Sequence, residues 1–169
     1  MLTRDQILCY LKQLGEELSA RGLHGEILLT GGAAMCLVHE ARDMTKDIDA
    51  LYEPKDVINS IVNEIAQRNN LPNDWLNDSV KGFVGANADV EEFIVLKGLH
   101  VQTVTSEYLL AMKLMSARYG EKDYDDIRFL LKKIGVTTVN AAFEIVQKYF
   151  PVNRIMPKTR YIIEEFITD

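Results

Sequence analysis

The sequence predicts an α+β fold, a mixed sheet flanked by helices and followed by a helical C-terminal part. Three observations carry that prediction. Apolar residues recur at helical spacing near the N-terminus, around residues 57–65 and through most of residues 105–169. Short β-compatible runs lie between the helices, and two of them, VEEFIVL and LHVQTVT, are joined at Lys97-Gly98 as a tight hairpin. The resulting order is α–β–α–β–α, a hairpin, then helices. It divides into a sheet unit of residues 1–104 and a helical part of residues 105–169 packed on it.

Each element has its own signal. Thr3-Arg4-Asp5-Gln6 reads as a capping box, after which Ile7, Leu11, Leu14 and Leu18 keep one helical face apolar. Gly22 and Gly25 bracket the exit, and EILLT suits a buried strand. GAAMCLVHE is a compact helix opened by glycines, TKDIDALYE is a second strand ended by Pro54, and Val57, Ile58, Ile61 and Ile65 mark a further helix. Residues 69–89 are loop-rich, with a short strand expected at Lys81–Val84 and Trp75 as a loop anchor in the core. Four helices follow Thr105, with Gly120, Gly135 and Pro151 as stop signals.

At 169 residues, 47% hydrophobic and 26% charged, the chain has enough length for a real core. No apolar run approaches a membrane span, the N-terminus lacks a signal-peptide layout, and a cytoplasmic setting is expected. Cys9 and Cys36 fall on apolar helix faces without framework spacing, so both read as buried thiols. The net charge of −6 argues against wholesale coating of nucleic acid. It is uneven: residues 1–99 carry 9 Lys and Arg against 16 Asp and Glu, whereas residues 100–169 carry 10 against 9.

Asp47 and Asp49 carry the chemical question. In a strand, positions i and i+2 share a face, so the two carboxylates stand side by side while Ile48 enters the core. Such a pair repels unless a cation bridges it, and magnesium favours carboxylate oxygens together with substrate phosphates. Taken alone, Asp-x-Asp favours a plain strand edge with its polar face in water. Gly31-Gly32 shift the weighing, because they follow a strand, open a helix and let backbone approach a triphosphate closely.

The run TGGAAMCLVHEARDMTKDIDAL resembles the signature of the nucleotidyltransferase superfamily, whose fold is shared with DNA polymerase β. The small bacterial members of the abortive-infection and toxin type are the most similar. The resemblance implies a nucleotidyltransferase-like mixed sheet, with Gly31 and Gly32 cradling a triphosphate and Asp47 and Asp49 holding Mg²⁺ or Mn²⁺. Arg42 and Thr45 fall where that family has Arg and Ser/Thr ahead of the carboxylates, and are expected at the nucleotide. A second block, LLAMKLMSARYGEKDYDDIRFL, resembles the downstream helix pair and adds Lys113, Asp123 and Asp126 as catalytic candidates. Many active members place a third carboxylate on a neighbouring strand, facing the pair. LHVQTVT offers only His100 and Gln102 there, and Glu92 is the nearest choice.

Lys113 has a second reading, since a lysine on an apolar helix also snorkels its amine to water. His24, His39 and His100 have no metal-ligand spacing. The expected function is transfer of a nucleoside monophosphate from an NTP to an acceptor hydroxyl on RNA, protein or a small molecule. A toxin paired with a cognate antitoxin fits the resemblance, and no membrane partner is expected. The alternative is a catalytically weak or inactive module of the same fold that acts through a protein partner.

Overall fold

The computed structural model describes residues 1–117 and 123–167. Gly120, expected to stop a helix, lies outside the described residues. The chain divides into two compact units, residues 1–84 with 90–104, and residues 85–89 with the helices from Thr105 onward.

In the first unit, β1 (Leu2–Thr3) leads into α1 (Arg4–Ala20). Thr3 accepts from the Gln6 N–H while the Gln6 side chain accepts from the Thr3 N–H, completing the capping box. Then come β2 (Gly25–Leu29), α2 (Gly31–Leu37), β3 (Met44–Thr45), β4 (Ile48–Glu53), α3 (Lys55–Asn69) and β5 (Leu76–Asn77). A 3-10 turn at Ser79–Gly82 stands where a strand was expected at residues 81–84. β6 (Val90–Leu96) and β7 (Leu99–Val104) form the hairpin.

The main sheet runs β5-β4-β2-β7-β6, and β1 pairs separately with β3. β2 is antiparallel to β4 and parallel to β7, and β5 is parallel to β4. Register sorts the two faces. Ile48, Ala50, Ile27, Leu29, Leu99 and Val101 lie buried on one, in a core shared with Ile7, Leu11, Leu14 and Leu18 of α1 and Ile58, Ile61 and Ile65 of α3. On the other face stand Asp49, Glu53, Glu26, His100, Gln102 and Glu92, aligned by the ladders. Trp75 anchors its loop as expected, with its indole N–H donating to the Val62 carbonyl at 3.1 Å. Cys36 is buried, but Cys9 is exposed, which corrects the expectation that both thiols are interior.

In the second unit, α4 (Ser106–Ser116), α5 (Asp123–Ile134), α6 (Val139–Tyr149) and α7 (Pro157–Ile167) pack through Tyr108, Leu110, Ile127, Val146 and Ile163. Residues 85–89 belong here because their polar groups do. The Gly85 N–H donates to the Tyr108 hydroxyl at 2.8 Å, and the Tyr149 hydroxyl donates to Asp89 at 2.6 Å. Lys148 pairs with Asp89 at 3.0 Å and Glu107 at 3.1 Å. No helix among the described residues is long and apolar enough to cross a membrane.

Candidate active site

β2 ends at Leu29, and Thr30 turns the chain into α2. Thr30 donates both its N–H (3.0 Å) and its hydroxyl (3.1 Å) to the Asp49 carbonyl oxygen. The entrance to α2 is therefore tied to β4, and the hydroxyl does not cap its own helix. Gly31 takes a φ of +56°, the left-handed region that glycine enters without a Cβ penalty. A Cβ there would sit 3.1 Å from Asp49 Oδ2. At Gly32 a Cβ would sit 2.7 Å from Thr45 Oγ1 and 3.5 Å from an Arg42 guanidinium nitrogen. The glycine pair thus meets Arg42, Thr45 and Asp49 in space.

The backbone of Asp47 is tied to the same turn, but not in the strand that the sequence suggested. It lies in a bend one residue ahead of β4, so strand alternation does not set its direction. The Thr45 hydroxyl donates to the Asp47 carbonyl at 3.1 Å and holds that bend. Asp47 and Asp49 are both half-buried, with fully buried Ile48 between them.

Two residues that sequence reasoning passed over also reach Asp49. Asn77 is its register partner on β5, and the Ser79 hydroxyl lies 3.3 Å from Asp49 Oδ1. The signal for them was slight: a buried Trp75-Leu76 pair inside a polar loop, then Asn77-Asp78-Ser79. Lys55 at the start of α3 pairs with Asp78. That hydrogen bond holds the Asp78 carboxyl below its ordinary range.

Glu92 does not join the pair. It lies on β6, three strand positions from β4, or about 14 Å at the usual strand spacing. Its carboxylate instead engages His100 and accepts from the Gln102 amide at 3.0 Å. Those contacts, His100 first, hold its carboxyl below the usual range. Among the described residues, no group of three or more His, Cys, Asp or Glu is arranged to hold a metal.

In the helical unit, the Lys113 amine lies 2.6 Å from Asp123 and 2.9 Å from Asp126. It does not snorkel, since only 10% of the side chain is exposed, and Asp126 is 2% exposed. The three residues grouped by resemblance therefore form one ion cluster that ties α4 to α5.

A glycine turn packed against a carboxylate strand, on a mixed sheet flanked by helices, is the architecture of the nucleotidyltransferase class. Within it, this chain belongs to the family described as nucleotidyltransferase of unknown function (DUF6036), whose model matches residues 6–156. No curated protein and no solved structure matches the chain.

Proposed function

We propose that the chain transfers a nucleoside monophosphate from an NTP to an acceptor hydroxyl with the help of Mg²⁺ or Mn²⁺. The observation that carries the reading is the contact of Gly31-Gly32 with Asp49, Thr45 and Arg42. The missing Cβ atoms let the Asp49 carboxylate, the Thr45 hydroxyl and the Arg42 guanidinium close on the turn, and the guanidinium beside Gly32 is placed to meet phosphate charge. The Asp49 carboxylate beside Gly31 offers hard oxygen donors, which fits a magnesium-like ion, and Asp47 joins it on the resemblance. Bound there, such an ion would screen phosphate charge and stabilise the leaving pyrophosphate. Glu26 and Glu53 share the sheet face of Asp49, so an unaccompanied triphosphate would be repelled from it.

Lys113, Asp123 and Asp126 enter the proposal on the resemblance, as does a toxin role opposed by a cognate antitoxin. A second reading, a nucleotide-binding module acting through a protein partner, is favoured by the lack of a third acid beside Asp47 and Asp49 among the described residues.

The test is thermal melting with MnCl₂ and each NTP. Binding to the native state alone raises the melting temperature, by an amount equivalent to about 2.7 kcal/mol at a hundred times the Kd. The double change Asp47→Asn and Asp49→Asn should remove the shift while the protein still melts cooperatively. A full shift in the double variant would sink the metal assignment. Labelled NTP with cellular RNA and protein then separates the two readings, since transfer leaves label on an acceptor and the binding module leaves none.

A further inference from the structure

We infer that Asn77 and Ser79 supply neutral oxygen ligands that complete a divalent-cation site at Asp49, on the β5 side of the carboxylate. The inference rests on the nucleotidyl-transfer reading above and names where its missing ligands come from. β5 runs parallel to β4 with Asp49 and Asn77 as register partners. Such partners stand about 4.8 Å apart, with side chains on the same face. Two residues on, the Ser79 hydroxyl lies 3.3 Å from Asp49 Oδ1 and also contacts Asn77 Oδ1.

A serine hydroxyl carries one proton. Two acceptor oxygens converge on it here, so one of them always faces a lone pair. The Asn77 amide cannot turn to cure this. Its Nδ2 donates to the Asp74 carbonyl at 3.2 Å, and its Oδ1 accepts from the Ser79 N–H at 3.0 Å. Reversing the amide would lose both bonds. The Lys55–Asp78 ion pair pins the residue between them. A turn at Asn77–Ser79 accounts for the bonds inside the segment, but not for a hydroxyl directed at Asp49. Carboxylate, amide and hydroxyl oxygens gathered at one point are the donor set of a hard cation. Because neither Asn77 nor Ser79 adds charge to that of Asp49, the site would hold its ion loosely until phosphate oxygens join it.

The experiment is Mn²⁺ binding to the full chain, followed by electron paramagnetic resonance with MnCl₂ alone and with an added NTP. Four proteins are compared: the unmodified chain, Asp49→Asn, the double variant Asn77→Ala with Ser79→Ala, and Asn77→Asp. Asp49→Asn should lose binding, and the double variant should bind about tenfold more weakly, as is usual when a supporting ligand is removed. Asn77→Asp keeps the oxygen and adds charge, so it should bind Mn²⁺ more tightly. A purely structural role for Asn77 predicts no gain. If Asp49→Asn loses the ion while the double variant binds like the unmodified chain, this inference falls and the nucleotidyl-transfer reading stands. If the unmodified chain binds no Mn²⁺ even with NTP, both fall. Should the double variant fail to fold, Asn77→Asp decides: tighter binding supports the site, and unchanged or weaker binding overturns it.

Discussion

Gly32 is a position in the site with little room for a side chain. A Cβ there would lie 2.7 Å from the hydroxyl oxygen of Thr45, which is itself buried and bound to the Asp47 carbonyl. A shift of that hydroxyl would loosen its bond to the bend that carries Asp47. Gly32→Ala should therefore destabilise by about 1–3 kcal/mol, the usual range for overpacking, and also remove the NTP-dependent rise in melting temperature. Melting with and without Mn²⁺ and NTP checks both parts, and a normal nucleotide shift would show that Gly32 does not face the phosphates. This contact was legible in the sequence because its members lie within sixteen residues, joined by one short helix and two turns. Asn77 and Ser79 were not. They reach Asp49 only through the pairing of β5 with β4, and a two-residue strand has no periodicity to read.

Among the elements, α4 and α5 hold together through charge as well as apolar packing. Lys113→Met keeps the stem but leaves Asp126, 2% exposed, without that cation. Breaking a buried pair from one side typically costs about 3–5 kcal/mol, and the lower end applies here because Asp123 retains contact with water. Chemical denaturation should show the loss in the absence of any nucleotide. An unchanged midpoint would mean that the cluster is not what joins the two helices.

The 85–89 segment is fastened by Asp89, whose carboxyl is held below its ordinary range by the Tyr149 hydroxyl and then by Lys148. A depressed folded-state pKa means the unfolded chain binds more protons between the two values. The contribution is thus complete above about pH 4 and is lost as pH falls through the folded value. Asp89→Asn should lower the melting temperature at neutral pH and narrow the gap between melts at pH 6 and below pH 4. Helices and the hairpin were readable because their apolar spacing persists over several turns or pleats. The 3-10 turn at Ser79–Gly82 was not readable, since Phe83 and Val84 are β-compatible residues that no sheet partner takes up.

For the molecule as a whole, charge constrains the acceptor that the proposed transfer would use. The net charge is −6, and the sheet face that bears Asp49 also carries Glu26, Glu53 and Glu92. A surface of that sign cannot neutralise many backbone phosphates, so an RNA acceptor would be gripped near its reacting end and little elsewhere. Each phosphate contact to a single strand adds about −0.7 to the slope of log affinity against log salt. Two contacts then weaken binding by only about sevenfold between 50 and 200 mM salt. Filter binding of a short single-stranded RNA across that range, with Mn²⁺ and a non-transferable NTP analogue present, measures the slope directly. A shallow dependence is expected if RNA is the acceptor. A loss of about a thousandfold would require about seven phosphate contacts, and the RNA would then have to lie along a basic surface that the acidic sheet face does not provide.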